Sequence, residues 1–356
     1  MKKFFAMLLT LAMVLSLVAC GGSDSSDSAA EDTNDAATEE LPTYELRLAS
    51  VSVPGNHQTV ALEDAAAKIA ELTDGHVQIK VYPNSALGDN SIVYGQVMTG
   101  DIDMCLGTIV SSYNTGFDAL SLPFLATSYE DYAEVYAEGS FMYDYIAGLC
   151  AENGVTLLGF FNTGFNGIGA QTLPTEDFMA LNDSSEKDIL LRVPPILAYQ
   201  RTVEAMNYRT TSIPYADLYS ALQSGVADGW IGGSPLVNWD SFRDTISYFI
   251  DNRVINENMP VCINAELLAS MPEEYQTAIT ETFTEMATRV NEERAEQEAE
   301  AIANMQEYGI TIIEPTDEEI EALAAVIREE VWNTMRPELG DELVDQLCDA
   351  YGVAKK

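Results

Sequence analysis

The stretch "RVPPILAYQRTVEAMNYRTTSIPYADLYSALQSGVADG", residues 192–229, carries the pattern from which the fold is predicted. Its first three residues end the apolar run "DILLRVP", which predicts a buried strand. "AYQRTVEAM" and "YADLYSALQSGV" then have helical spacing of their apolar residues, and Pro214 stands near the start of the second helix, where proline is favoured. "DGWIGG" predicts a short strand and a glycine-rich turn. Strands and helices therefore alternate, which is typical of an α/β fold.

The same alternation is found nearer the N-terminus. "YELRLASV" predicts a strand, and "HQTVALEDAAAKIAELTDG" predicts a helix that ends at Gly75. "HVQIKVYP" alternates apolar and polar residues, as does a strand with one solvated face. "SIVYGQVMTG" and "DIDMCLGT" add a short helix and a short strand. We therefore expect two α/β lobes built on a mostly parallel sheet with helices on its faces.

Arg192 is a permanent cation inside the apolar run, with no acidic residue beside it in the sequence. An unpaired buried charge costs several kcal/mol, so a counter-charge must reach this side chain from elsewhere. One candidate is an acidic residue distant in the sequence. A planar guanidinium also matches a carboxylate through two parallel charge-assisted hydrogen bonds, which lysine cannot make.

A long segment without glycine or proline runs from Glu273 to Tyr308, between Pro272 and Gly309. As one helix it would span roughly 54 Å, more than a single small lobe needs. We expect one helix that runs along both lobes. The alternative is two helices with a break near Asn291.

The N-terminus "MKKFFAMLLTLAMVLSLVAC" has a basic start, an apolar run and a small residue before Cys20, as in a secretory signal peptide. "LVAC" followed by "GG" resembles a bacterial lipobox, so we expect residues 1–20 to be a lipoprotein signal with Cys20 as the lipidated residue. The alternatives are an ordinary signal peptide with a chance cysteine, or a transmembrane anchor, although the run is short for a span.

Residues 21–42 are rich in acidic and small residues and contain no basic residue. Such a segment cannot bury enough apolar surface to offset its ordering entropy, so it predicts a flexible tether. The protein is therefore expected outside the cytoplasmic membrane, at the cell surface or in the periplasm, anchored to the outer face of that membrane by the lipid on Cys20.

Composition and motifs argue against several functional classes. The chain has 57 acidic and 17 basic residues, a formal charge of −40, which disfavours nucleic acid as a partner. With two histidines and no Cys-x-x-Cys pair, no metal site is predicted. Patterns typical of hydrolases, zinc proteases, P-loop enzymes and dinucleotide-binding proteins are not found on suitable elements, so we predict neither enzyme activity nor a cofactor. Four cysteines, at positions 105, 150, 262 and 348, could form two disulfides or remain buried thiols.

The 192–229 stretch resembles the signature region of the DctP-type solute-binding proteins of tripartite ATP-independent periplasmic (TRAP) transporters. The matching features are Arg192-Val193-Pro194, then Pro214-Tyr215 with Asp217, then the Ala-Leu-x-x-Gly-x-x-Asp-Gly pattern of residues 221–229. "LTDGHVQIKVYPNSALGDN", "GDIDM", "LSLPFL" and "INAELLASMPEEYQ" are also similar, so the resemblance runs from about residue 45 to 350.

This resemblance implies a two-lobed periplasmic-binding-protein-like fold with hinge strands and a long helix, about 273–308, spanning both lobes. Lobe 1 would comprise 43–165 plus about 254–280, and lobe 2 would comprise 166–253 plus about 310–350. In that family the equivalent of Arg192 forms a bidentate salt bridge with the carboxylate of a bound organic acid. The implied function is to capture this acid by hinge closure and deliver it to the membrane subunits of a TRAP transporter.

The sequence departs from the family at two ligand contacts. Asn166 stands where a second arginine often occurs, and Gly232 stands where the family has an asparagine. These changes argue against a C4-dicarboxylate or a sialic acid. With Phe165, Tyr215 and Trp230 nearby in the motifs, they suggest an aromatic or branched monocarboxylate.

Weaker candidates for ligand contacts come from loops at the ends of predicted strands, where ligands bind in open α/β sheets. They are Asn56 and His57 in "PGNH", Asp89 in "LGDN", and Ser234 and Asn238, which could replace the missing asparagine. We expect a monomer. The alternative function is a sensory lipoprotein that uses the same cleft to signal to a receptor kinase.

Overall fold

The fold is built on one β-sheet. The computed structural model describes residues 41–174 and 186–356, and the sheet lies within them. The predicted signal peptide, Cys20 and nearly all of the predicted tether lie outside the described residues. Nine strands form the sheet: β1 Tyr44–Ser50, β2 Val77–Tyr82, β3 Met104–Leu106, β4 Val155–Ala170, β5 Leu190–Val193, β6 Arg209–Ser212, β7 Gly229–Gly233, β8 Tyr248–Asn264 and β9 Thr311–Ile313.

The strand order is β2-β1-β3-β8-β4-β7-β5-β6, with β9 also paired to β8. The long strands β4 and β8 are antiparallel along their whole length, from Val155 opposite Asn264 to Ala170 opposite Tyr248. Strand β3 pairs with one end of β8, and β7 pairs with the opposite end of β4. The two long strands therefore connect an α/β lobe that contains β1–β3 to one that contains β5–β7.

The expectation of a mostly parallel sheet is correct for the outer strands and wrong for the centre. β1 is parallel to β2 and β3, and β5 is parallel to β6 and β7. The pairs β3–β8, β4–β8 and β4–β7 are antiparallel. The physical reason is that β4 leaves the first lobe and β8 returns to it, so the connecting strands must run in opposite directions.

Helices cover the sheet. They are α1 His57–Leu72, α2 Asn90–Thr99, α3 Tyr129–Val135, α4 Phe141–Glu152, α5 Leu197–Ala205, α6 Tyr215–Gln223, α7 Pro235–Val237, α8 Ala265–Ala269, α9 Glu273–Tyr308, α10 Asp317–Thr334, α11 Arg336–Leu339 and α12 Asp341–Tyr351. A 3-10 helix spans Thr115–Ser121, and a π-helical turn spans Asn238–Phe242. None of the helices within 41–174 and 186–356 has the length and hydropathy needed to cross a bilayer.

Helix α9 is a single helix of 36 residues, without the break near Asn291 that the alternative required. Its first half contributes residues from Tyr275 to Val290 to an apolar cluster with β1, β3 and α1. Near its other end Met305 belongs to a separate cluster with α6 and β7. Between these clusters the buried face is polar, with Arg294 and Glu298 against the connecting strands. Because its two ends pack into different cores, α9 spans both lobes.

Residues Pro42–Lys356 form one compact unit with their own hydrophobic cores. The four cysteines at 105, 150, 262 and 348 are buried free thiols, the second of the two alternatives left open by the sequence. The lobe boundaries given above stay a prediction.

Candidate functional site

A cavity lies between the two lobes, at the carboxyl ends of β1, β3, β5 and β7. Ligands of open α/β sheets bind at such strand ends, because loops and helix N-termini from several units meet there. Both lobes and β8 contribute to the lining, which consists of Val51, Ser52, Val53, Asn56, Gln58, Asp89, Asn90, Thr108, Val110, Arg192, Pro194, Pro195, Ile196, Tyr215, Gly232, Val237, Asp240, Ser241, Glu257 and Met259.

The cavity is small in this conformation. The space open to the centre of a water molecule is about 50 Å³. Since one water needs roughly 10–15 Å³ by this measure, the cavity holds about four waters. The lobes are therefore close together around a space suited to a small molecule.

Arg192 is 2% exposed and lies near the end of β5. Its Nε donates to the carbonyl oxygen of Ile213 at 2.8 Å. This is the one hydrogen bond of its side chain among the described residues, and none of their carboxylates forms an ion pair with it within 4.0 Å. Burial lowers the pKa of Arg192 to about 10, and the side chains of Tyr215 and Glu257 oppose that shift. The guanidinium is thus still charged at neutral pH, and its two terminal nitrogens form no hydrogen bond with the described residues.

Glu257 is an acidic residue of the cavity that the motif analysis missed. It lies on β8 and is distant in sequence from Arg192, whose charge it helps to stabilise. Thr108 donates to Oε1 at 3.0 Å, and Thr163 donates to Oε2 at 3.3 Å. Burial nevertheless raises the pKa of Glu257 to about 7, against the lowering effects of the Thr108 hydrogen bond and the Arg192 charge. Burial thus outweighs the nearby donors.

Asp89 joins the two lobes at the edge of the cavity. Its Oδ1 accepts the backbone N–H of Ser91 at 3.1 Å and caps α2. Its Oδ2 accepts the backbone N–H of Ala216, in the first turn of α6, at 3.2 Å. The same carboxylate therefore satisfies N–H groups at two helix N-termini, where a negative charge is favoured.

Three other candidates line the cavity. Tyr215 begins α6 opposite the first lobe, and Asn56 caps α1 by accepting the backbone N–H of Thr59 at 2.8 Å. Gly232 has φ +119°, and a Cβ atom built on it would lie 3.6 Å from Nη1 of Arg192. A side chain at this position would therefore stand directly beside the guanidinium.

Phe165 and Trp230, two of the three aromatic residues behind the expectation of an aromatic ligand, do not line the cavity. Phe165 packs edge-on against Tyr129 at 5.1 Å between ring centroids. Trp230 is fully buried, and its indole N–H donates to Oδ1 of Asn238 at 3.1 Å. Both are core residues in this arrangement because their rings are covered by protein on all sides. Tyr215 is the aromatic member that faces the cavity.

The polar candidates Asn166, Ser234, Asn238 and His57 also lie away from the cavity lining. The side-chain amide of Asn166 donates to the hydroxyl of Tyr199 at 2.6 Å. Asn238 donates to the carbonyl oxygens of Gly233 and Ser234, so it stabilises the turn after β7. His57 is exposed in the first turn of α1. Its charge still acts on Asp240 of the opposite lobe, whose pKa is raised by burial and lowered in part by this histidine.

Within 41–174 and 186–356 no three His, Cys, Asp or Glu side chains are close enough together to hold a metal ion. This includes the three acids of the cavity lining, Asp89, Asp240 and Glu257.

Comparison with known proteins identifies relatives along most of the chain. The model of the family described as "Bacterial extracellular solute-binding protein, family 7" matches residues 48–337. A solute-binding protein of Chromohalobacter salexigens is 28% identical over 195 residues, which cover 53% of this chain and 55%, about half, of that relative. The C4-dicarboxylate-binding periplasmic protein DctP of Rhodobacter capsulatus is 23% identical over 288 residues, covering 78% of this chain and 84% of that protein.

Solved structures show the same fold. The sugar acid binding protein of Advenella mimigardefordensis, in complex with galactonate, has a TM-score of 0.78 at 17% identity and covers 88% of this chain and 99% of that chain. A TRAP periplasmic solute-binding protein of Desulfovibrio salexigens, with bound orotic acid, has a TM-score of 0.77 at 20% identity, covering 87% and 99%. The resemblance found in the signature region is confirmed: the chain belongs to the DctP family, family 7 of the bacterial extracellular solute-binding proteins.

Proposed function

We propose that this protein captures a small organic acid between its two lobes and delivers it to the membrane subunits of a TRAP transporter. The observation that carries the proposal is Arg192, a buried cation that lines the cavity between the lobes and forms no ion pair with a described carboxylate. A carboxylate accepts two parallel hydrogen bonds from such a group and supplies the missing counter-charge. The family consists of extracytoplasmic solute-binding proteins rather than enzymes.

Several structural relatives support a carboxylate, whereas one from Desulfovibrio desulfuricans has bound sn-glycerol-3-phosphate, an anion without a carboxyl group. One from Sulfurospirillum deleyianum has bound succinate, and one from Roseobacter denitrificans has bound L-galactonate. These ligands, like orotic acid, carry a carboxyl group, although their remaining parts differ widely. A ligand that contacts both lobes favours the closed arrangement, because it binds that state more tightly than the open one.

For this chain we propose a monocarboxylate rather than a C4-dicarboxylate or a sialic acid. Arg192 is the only basic residue among those that line the cavity, so a second carboxylate would lack a partner. Apolar side chains cover much of the remaining wall, namely Val51, Val110, Ile196, Val237 and Met259. These side chains favour an apolar ligand body, such as a branched chain. An aromatic ring is the other form proposed, and it would have Tyr215 as its aromatic neighbour.

The proposal includes the location of the protein. The signal pattern ending at Cys20 supports a lipid anchor on the outer face of the cytoplasmic membrane. Residues 21–42 would then tether a monomeric binding body to that lipid, within reach of the membrane subunits.

A thermal-shift screen of residues 43–356 tests the proposed function. The protein is first unfolded, dialysed and refolded to remove bound ligand, then mixed with a panel of small organic acids and with the amide of each acid. At about 100 times its dissociation constant a ligand adds roughly 2.7 kcal/mol to the free energy of unfolding. Stabilisation by an acid and not by its amide supports carboxylate capture. A ligand-free protein that no acid of the panel stabilises would contradict it.

A further inference from the structure

The charges around the cavity do not balance. Arg192 is the basic residue of its lining, whereas Asp89, Asp240 and Glu257 are acidic, so the lining has an excess of two negative charges when all three acids are ionised. Burial leaves Glu257 only partly ionised at neutral pH, and a cation bound beside it would favour the ionised form. A bound monocarboxylate increases this excess to three. A site that is already negative is a poor environment for a simple anion, unless the anion also brings positive charge.

We infer that the ligand carries a protonated amine as well as its carboxylate, so that the site binds a zwitterion of the amino-acid type. The inference rests on the proposed function and makes its substrate class more specific. The carboxylate contacts Arg192, and the ammonium group contacts Glu257, with Asp240 as the second acidic neighbour.

The hydrogen bonding of the acids supports this assignment. Asp89 is already compensated by backbone N–H groups of Ser91 and Ala216, at 3.1 and 3.2 Å. Glu257 receives one hydroxyl donor on each oxygen, and the side chain of Asn166 is a further donor to this carboxylate. Its two oxygens can together accept more hydrogen bonds than these three. Within the described part of the chain the side chain of Asp240 accepts no hydrogen bond, although the charges of Arg243 and Arg294 act on it, and it lies on the cavity wall. Two acceptors therefore remain for the N–H donors of a ligand.

A second observation points to the same ligand. Arg192 is 2% exposed, and its side chain lines the same cavity as Glu257. A cation and an acid that share one small cavity, without an ion pair within 4.0 Å between them, can each bind one end of a zwitterion. The three acids of the lining do not form a group able to hold a metal ion. The apolar side chains of the wall would contact the aliphatic or aromatic side chain of an amino acid.

Isothermal titration calorimetry of ligand-free 43–356 with matched pairs of probes tests the inference. Each pair consists of an amino acid and the acid with the same skeleton but no amine: leucine and 4-methylpentanoate, phenylalanine and 3-phenylpropanoate, alanine and propanoate. A hydrogen bond to a charged group is worth about 1.5–3 kcal/mol, so the amino acid of the preferred pair should bind about tenfold or more tightly than its partner. Its carboxamide should not bind.

The outcomes separate this inference from the proposed function. If the acids without amine bind as tightly as the amino acids, the zwitterion is refuted and carboxylate capture stands. Absence of binding by all six probes also refutes the zwitterion, and the acid screen then decides the proposed function separately. If the carboxamides of the amino acids bind and neither the amino acids nor the acids without an amine do, both proposals fail.

Variants locate the ammonium contact. Glu257→Gln keeps the shape and the hydroxyl contacts of the side chain but removes its charge, so it should weaken amino-acid binding by about tenfold and leave the partner acid unchanged or tighter. Glu281→Gln, the same change on the exposed face of α9, is the control. Asp240→Asn is the second variant, used if Glu257→Gln does not fold. A functional variant that binds both members of the pair as the unmodified protein does would overturn the inference.

Discussion

Asp89 is predicted to favour the closed arrangement through a hydrogen bond between the lobes, without contacting the ligand. Its carboxylate caps α2 within one lobe, through Ser91, and accepts the N–H of Ala216 from the other lobe at 3.2 Å. The first contact exists whenever α2 is folded. The second requires the lobes to be close, so it contributes to closure and not to the stability of either lobe.

Asp89→Ser separates these two contacts. Serine is as good an N-cap as aspartate, so α2 keeps its cap, but a single short hydroxyl cannot also reach Ala216. The lost hydrogen bond has a charged acceptor, and Asp89 is partly solvated, which reduces its value to about 1 kcal/mol. Affinity for the ligand should therefore fall about fivefold.

Calorimetric titration and chemical denaturation of ligand-free protein measure the two effects. We expect the fivefold loss of affinity together with a change of less than about 0.5 kcal/mol in the free energy of unfolding. Asp217→Ser, which removes an exposed acid from the first turn of α6, is the control and should leave the affinity unchanged. An unchanged affinity in Asp89→Ser, or an equal loss of stability in the ligand-free protein, would refute the role assigned to the contact.

Three further predictions concern stability. Gly164→Ala should lower the melting temperature strongly, because φ is +97° and a Cβ atom would lie 1.5 Å from Oε1 of Glu298. Gly154→Ala is the control: φ is +70° and the space around it is open, so the free energy of unfolding should fall by only about 1 kcal/mol. Trp230→Phe should destabilise the protein in denaturant titrations without changing affinity, whereas a large loss of affinity would place Trp230 at the ligand. As pH rises from 4.5 to about 7, the ligand-free protein should lose stability relative to Glu257→Gln. Burial raises the pKa of Glu257 above its unfolded value, so the protonated form that favours folding is lost in this range. A difference in the free energy of unfolding that stays constant with pH would contradict the shift.

Much of the fold could be predicted because its signals are local. The absence of glycine and proline between Pro272 and Gly309 predicts the long α9, and regular spacing predicts α1, α5 and α6. The antiparallel centre could not be predicted from these patterns. The orientation of β4 and β8 depends on pairing between residues about a hundred positions apart, and the repeated strand–helix pattern favours the parallel alternative.

The site was predictable only in part, for a related reason. Arg192 was found because a cation inside an apolar strand conflicts with its local surroundings. Glu257 has no such signal, since one acid among the polar residues of "INENMP" is ordinary until the fold brings it near Arg192. Trp230 and Phe165 were proposed as ligand contacts but lie in the core, because the sequence does not distinguish an aromatic ring in the core from one that faces a cavity.

The most direct test of the central claim is the affinity of Arg192→Ala for the acid that the screen identifies, measured by calorimetry. Removing one partner of a buried charge pair costs about 2–5 kcal/mol, so binding should weaken by about a hundredfold while the protein stays folded. Arg289→Ala, on the exposed side of α9, should bind as the unmodified protein does. If Arg192→Ala folds and binds the acid with unchanged affinity, the guanidinium does not hold the carboxylate and the proposed mode of capture is wrong.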